Sequence, residues 1–249
     1  MQASSDRPVA LVTGGARRIG RAICLAFADA DHDVIVHFNR SESDADEVVR
    51  DVKTRGVRAV AMRADLSDVA ATRALADQLV ATHGRVDVLV NNASVFHSTP
   101  VATTAAAEFD RATQRFLAVH VAAPLALIHA LAPALRERRG AVVNLGDAAG
   151  PRPRSAAYAA SKAALASLTR SLAIELAPAV RVNMVAPGAI LPPESADPLR
   201  PDGAARIVAE IPAGRFGTVD EVARAVVFLA TGPDFITGQI LGVDGGQYA

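Results

Sequence analysis

Tryptophan is absent from these 249 residues, tyrosine occurs twice, and there is one cysteine. One cysteine excludes a disulfide within the chain, and Cys24 falls inside an apolar pattern of helical spacing, which predicts a buried thiol in a reducing compartment. Charge of one sign is also lacking: lysine plus arginine equals aspartate plus glutamate at 26 each. With no net field toward nucleic acid or an anionic membrane, neither is expected as a partner, and any cation that matters must act locally. No metal is expected. The longest apolar run, Val121 to Leu135, contains Pro124, His129 and Pro133 and falls short of the roughly 20 residues that a spanning helix needs, so a buried helix is expected there. The first residues, MQASSDRP, lack the apolar core of a secretory signal. A soluble, cytoplasmic protein is the expectation.

What is present is alternation. Short runs rich in valine and isoleucine alternate with longer alanine-rich stretches of helical period, the pattern of βαβ units around a parallel sheet. Strands are expected at Val9–Val12, Asp33–Phe38, Arg58–Met62, Val86–Asn91, Ala141–Leu145, Arg181–Ala186 and Ile240–Val243. Helices are expected at Gly20–Ala30, Ser43–Arg55, Ala70–Thr82, Ala112–Arg136, Ala156–Leu176 and Val219–Leu229. The fold class is therefore α/β, a doubly wound seven-stranded parallel sheet with helices on both faces, in one domain. Composition shifts once, over Pro187 to Gly217, where clustered prolines predict a loop or lid over a site, taken as residues 188–217.

The first strand runs into TGGARRIG, with Gly14, Gly15 and Gly20 at a helix start. Glycines there allow close backbone approach to a pyrophosphate, and the free N–H groups of the helix N-terminus point at the anion. Arg17, Arg18 and Ile19 fill the rest of the loop. The end of the second strand, VIVHFNRSE, carries His37, Asn39, Arg40 and Ser41 where an acid for a ribose 2′-hydroxyl is common. An arginine beside a hydroxyl suits a 2′-phosphate, which favours NADPH over NADH.

In SAAYAASKAA, Tyr158 and Lys162 stand one helical turn apart on one face. An unperturbed tyrosine, with a pKa of about 10, is a poor acid or base near neutrality, and a neighbouring ammonium stabilises its phenolate. TGGARRIG, NNA at Asn91 to Ala93, YAASK, and PG at Pro187 and Gly188 stand in this order, and the chain resembles the short-chain dehydrogenase/reductase family from Val9 to the closing VDGG. The resemblance implies a single Rossmann-type domain, a nicotinamide cofactor, hydride transfer with Tyr158 as proton donor, and a homotetramer with the Ala112–Arg136 and Ala156–Leu176 helices between subunits. It also implies that Lys162 holds the nicotinamide ribose, that Asn91, Ala93 and Ser94 line the cofactor, and that Asp65 lies near the adenine beside Leu66. Pro187, Gly188 and Ile190 are the cofactor positions of the later loop.

Three departures look like the pteridine reductase branch. Arg18 replaces a usual glycine, Asp147 replaces the usual catalytic serine, and NNA continues into Ser94 and Phe96. In that branch, residues matching Arg18, Ser94, Phe96 and Asp147 form the pterin site together with Tyr158. The chemistry points the same way: an ionised aspartate repels the developing oxyanion of a ketone, while reduction of a ring C=N bond requires a proton on nitrogen. Phe96 either stacks on a flat ring or simply packs, and Asp147 either handles protons or caps the next turn. His120 stands where the family has an asparagine that supports a relay water; it is either a water holder or a helix-interface residue. Glu194 is a candidate near the pterin, and the basic loop between Asp147 and Tyr158 is trimmed, which reshapes the substrate entrance. The leading expectation is an NADPH-dependent reductase of a pterin or dihydrofolate-like ring. The alternative is a carbonyl reductase acting on a 3-oxoacyl thioester or sugar-like ketone, and a third reading is a non-catalytic dinucleotide-binding regulator.

Overall fold

The computed structural model describes residues 7–150, 153–191 and 203–249. Among them, seven strands, β1 (Val9–Val12), β2 (Asp33–Phe38), β3 (Ala59–Arg63), β4 (Val88–Asn91), β5 (Ala141–Leu145), β6 (Arg181–Pro187) and β7 (Ile240–Val243), lie in the order β3-β2-β1-β4-β5-β6-β7. Every pairing is parallel, with Leu11 of β1 opposite Ile35 of β2 on one side and Leu89 of β4 on the other. Strand order reverses between β1 and β4, and a sheet wound this way opens a crevice at the carboxyl ends of those strands.

Side chains along a strand point alternately to the two faces, and both faces here are covered, so the strands read as nearly unbroken apolar runs. On one face Val12, Val36 and Val90 share a core with Ile23 and Phe27 of α1 (Arg18–Asp29), Val48 of α2 (Glu42–Lys53) and Val226 of α8 (Val219–Thr231). On the other, Leu11, Ile35 and Leu89 pack with Leu79 of α3 (Val69–His83), Leu131 of α5 (Ala123–Glu137) and Leu172 of α6 (Ala156–Leu176). Cys24 lies in the first core with no exposed surface, and burial raises its thiol pKa, as expected of a structural cysteine.

Two expectations needed correction. The single helix expected at Ala112–Arg136 is α4 (Ala106–Leu117), a π-helical turn over Ala118–Ala122, and α5. Pro124 has no N–H to offer the His120 carbonyl, so the regular ladder cannot continue there, and the wider turn sits at that point. The helical run Ala106–Glu137 is long and apolar enough to cross a membrane by length and composition, but Leu127, Ile128, Leu131 and Leu135 are buried in the protein core. The proline-rich stretch is also not loop throughout, since α7 (Gly203–Ala209) forms within it and Ile190 bridges to Gly217. Pro192, Pro193, Glu194, Pro198 and Pro201 lie outside the described residues. Elsewhere the observed elements begin and end within about two residues of those expected, the usual scatter of element ends.

Candidate active site

A cavity of about 570 Å³ opens at the reversal point. Its floor is the loop between β1 and α1. Gly14 has φ +62, and a side chain at Gly20 would strike the Gly14 carbonyl and come within 2.6 Å of the Asn92 amide nitrogen, so only bare backbone fits. Thr13 Oγ1 donates to the Val90 carbonyl at 3.1 Å and accepts from the backbone N–H groups of Asn92 and Ala93 at 2.9 and 3.0 Å. Asn92 in turn donates its amide to the Thr13 and Gly14 carbonyls at 2.8 and 3.1 Å. Thr13 and Asn92 lie inside the TGGARRIG and NNA motifs, whose spelling does not mark them as the residues that tie the two loops together.

His37 has a role that its position alone did not reveal. Its buried ring accepts the Gly14 N–H on Nδ1 at 3.0 Å and lies 3.2 Å from the Ala64 carbonyl on Nε2. A backbone N–H can only donate, so the ring is neutral with its proton on Nε2. Burial is the main cause that pushes its pKa down to about 4. His37 thus supports the glycine loop while also reaching the cavity wall.

Arg17, Arg18, Ile19, Asn39, Asp65 and Leu66 line the same end of the cavity. Asp65 Oδ1 accepts from the Ser67 N–H and hydroxyl at 3.0 and 2.7 Å. These bonds, with help from Asn39 and the Arg115 charge, hold its carboxyl below the usual range. The next helix is capped by Asp68, which accepts from Ala70 and Ala71. Arg115, from α4, also lines the cavity and carried no sequence signal. Arg40 is exposed and Ser41 stands at the start of α2, both outside the cavity walls. Asn91 is displaced further: as the last residue of β4 it shares the face of Leu89, and its amide donates to Asn144 Oδ1 at 2.8 Å beneath the sheet. The NNA segment reaches the cavity through Asn92 and Ala93, and Ser94 follows them into its wall.

Arg18 has φ +50, the left-handed region that a glycine would occupy without strain. Its side chain reaches the cavity wall at this cost in backbone conformation.

At the other end α6 carries Tyr158 and Lys162, both buried. Lys162 Nζ donates to the Leu145 carbonyl at 2.8 Å, and burial pushes its pKa down to about 8 against the opposing pull of Asp147. Tyr158 Oη donates to Asp147 Oδ2 at 3.0 Å, while Asp147 Oδ1 accepts the Ala149 N–H at 2.9 Å. Asp147 therefore accepts one bond on each oxygen, from the turn that follows it on Oδ1 and from Tyr158 on Oδ2. Phe96 packs edge-on to Tyr158, ring centroids 4.9 Å apart, yet is 58% exposed and outside the cavity lining. The trimmed loop contacts the segment after β4: the Ser98 hydroxyl and the Thr99 N–H both donate to the Arg154 carbonyl, at 3.1 and 2.8 Å. Pro187, Gly188 and Ile190 close the cavity beneath β6.

The family model described as enoyl-(acyl carrier protein) reductase matches residues 14–247. The chain belongs to the short-chain dehydrogenase/reductase family. It is an NAD(P)-dependent oxidoreductase of that family, with the Rossmann-type fold expected. It is 35% identical to the 3-oxoacyl-(acyl-carrier-protein) reductase FabG of Staphylococcus aureus, over 96% of this chain and 97% of that one. An uncharacterized oxidoreductase of Mycobacterium tuberculosis is 37% identical, over 97% of this chain and 92% of its own. Among solved structures, a short-chain dehydrogenase from Burkholderia cenocepacia in complex with NADP superposes with a TM-score of 0.87 at 33% identity, covering 97% of this chain and 98% of that one. A blue fluorescent protein from a metagenomic library in complex with NADPH gives 0.86 at 35%, covering 97% and 98%.

Proposed function

We propose that this protein is an NADP(H)-dependent reductase that adds hydride to a ring C=N bond of a pterin-like or dihydrofolate-like heterocycle. The cofactor is NADP(H). The residues fit it: bare backbone between Gly14 and Gly20 leaves room for a pyrophosphate at the start of α1, and no acid stands among Asn39, Arg40 and Ser41 to repel a 2′-phosphate. Arg17, in the cavity wall and 3.7 Å from Asp44, is a further cation at that end. When bound, the nicotinamide supplies the hydride.

The observation that carries the ring assignment is the 3.0 Å bond from the Tyr158 hydroxyl to the Asp147 carboxylate. At that position a ketone reductase needs a hydrogen-bond donor toward the developing oxyanion, and an ionised carboxylate is an acceptor that repels it. Reduction of C=N needs a proton at nitrogen. Tyr158 passes its proton to the ring, and the phenolate recovers one that the Asp147 carboxylate has first taken from solvent in the cavity. Lys162, below α6's tyrosine and bonded to the Leu145 carbonyl, holds positive charge near the phenolate while it exists. Arg18 and Ser94 in the wall, with Phe96 at the mouth, supply the polar and flat surfaces that such a ring requires.

The second reading, reduction of a 3-oxoacyl thioester, is the one that the named relatives favour over the pterin reading. In it a protonated Asp147 takes the place of serine. Following NADPH oxidation with dihydrobiopterin, dihydrofolate and an acetoacetyl thioester separates the two. Turnover of either ring compound is expected, and turnover of the thioester alone overturns the proposal. NADPH binding with no turnover of any of the three favours the regulator, against which the intact Tyr158 and Lys162 pair speaks. Assembly as a homotetramer through α4, α5 and α6 is part of the same proposal, supported by the exposed Leu117, Leu125 and Ile174 on those helices.

A further inference from the structure

His120 occupies the middle of the π-helical turn between α4 and α5 and is 1% exposed. Two donors converge on its Nε2: the Val95 N–H at 3.2 Å and the Ser94 hydroxyl at 3.0 Å. On the far side Nδ1 lies 2.8 Å from Ser161 Oγ, whose own proton goes to the Tyr158 carbonyl at 2.7 Å. The Val95 N–H decides the tautomer, because an amide cannot accept. Nε2 therefore bears the lone pair, and Nδ1 bears the proton and donates it to Ser161. Neither ring nitrogen has capacity left for a relay water.

We propose that His120 is a positioning residue that locks the Ser94–Val95 wall of the cavity to the Tyr158–Lys162 helix through both ring nitrogens, and that it takes no part in proton transfer. The proposal rests on the hydride-transfer assignment alone and is indifferent to whether the substrate is a ring or a ketone. Three segments distant in sequence meet at this one ring: the loop after β4, the π turn and α6. The ring also lies edge-on to Tyr158 at 5.5 Å and stacked on Phe116 at 6.0 Å, so its orientation is fixed by packing as well as by hydrogen bonds. Because the Val95 N–H alone satisfies Nε2, the Ser94 hydroxyl can rotate toward a ligand without leaving a buried nitrogen unpaired. The ring also remains neutral: burial, and then the Lys162 charge, push its pKa down to about 3.

The test pairs two measurements on the full chain. In ¹⁵N spectra of the wild type, a through-bond coupling between the Val95 nitrogen and His120 Nε2 is expected, with the proton on Nδ1 from pH 5 to 9. Loss of the coupling, or a proton on Nε2, overturns the proposal whether or not any substrate is turned over. Second, His120→Phe keeps the stacked ring but removes both hydrogen bonds, and His120→Asn keeps a polar group. With whichever substrate the wild type reduces, kcat/KM is expected to fall about 10- to 100-fold in His120→Phe, the scale of a misplaced catalytic group, with the shape of the pH–rate profile unchanged. Unchanged kinetics, loss of one limb of that profile, or recovery of His120→Ala by added imidazole overturns it. If the wild type turns over nothing, the hydride-transfer assignment fails and the ¹⁵N result still decides the role of His120.

Discussion

At the end of the cavity proposed for the cofactor the chain approaches itself through backbone: Gly14 lies against Ala93, Gly20 against the Gly14 carbonyl, and His37 beneath the Gly14 N–H. At the end proposed for the substrate the groups are side chains on separate elements, with Asp147 after β5, Tyr158 on α6 and Phe96 on the loop after β4. A neutral buried histidine braces each end, and each accepts a loop N–H. The difference lies in what can vary. Close backbone approach tolerates almost no substitution, so the cofactor end is held to one shape. Side chains can be exchanged at constant backbone, so the substrate end can change chemistry while the fold stays the same.

The sharpest way to break that comparison is Tyr158→Phe. Removing the hydroxyl that donates to Asp147 should lower kcat by about 10²- to 10⁴-fold, the range of general acid catalysis, while NADPH affinity changes little. Stopped-flow reduction and NADPH fluorescence titration measure the two separately. If affinity collapsed along with rate, the two ends would not be separable.

Asp147→Ser comes next. It replaces an acceptor by a group that can donate, and should lower ring reduction by about 10²-fold, on the scale of one misassigned proton-transfer group, while any ketone activity falls less or rises. Paired kcat/KM values for a dihydropterin and an acetoacetyl thioester check it. The reverse order would assign the site to carbonyl chemistry, as the named relatives favour.

Legibility in the sequence followed the same division. The strand sequence, the glycine loop and the tyrosine–lysine pair could be read because short unbroken apolar runs, bare backbone and one helical turn each leave a local pattern. Asn91 was misplaced because a strand's alternation decides which asparagine of NNA faces the cavity, and the motif spelling does not record it. Arg115 left no mark because it reaches the site through tertiary packing of α4. The π turn at Ala118–Ala122 was signalled only by Pro124, and the bracing roles of His37 and His120 depend on which N–H groups meet them in space.

Arg18→Gly tests a trade inside the loop itself. Glycine takes φ +50 without strain, so the variant should unfold at higher denaturant, by roughly 1 kcal/mol, although glycine's unfolded-state entropy offsets part of this. The loss of the guanidinium from the cavity wall should weaken NADPH or ring binding about tenfold, one charge-assisted hydrogen bond. Urea melts and binding titrations on the same preparation read both. Equal binding would mean that the arginine serves neither ligand.

The smallest expected change in cofactor affinity concerns His37, and it distinguishes a brace from a ligand. The ring is neutral when folded, with a pKa of about 4, and titrates near 6.5 when unfolded. Between those values the unfolded chain binds the extra proton, so stability rises with pH there and is lost as pH falls from 6.5 toward 4. Each pH unit in the middle of that window removes about 1.4 kcal/mol on account of this group. His120, with its pKa of about 3, contributes in the same sense and over a slightly wider range. His37→Gln keeps a carbonyl acceptor for the Gly14 N–H but does not titrate. Its stability between pH 6.5 and 5 should therefore fall less steeply than that of the wild type in urea unfolding, with the remaining slope shared by His120 and His83, whose pKa burial also lowers. NADPH affinity at pH 7.5 should change less than threefold if the ring only braces the loop, because what the loop needs is an acceptor and not an imidazole; a larger loss would make His37 a ligand of the cofactor.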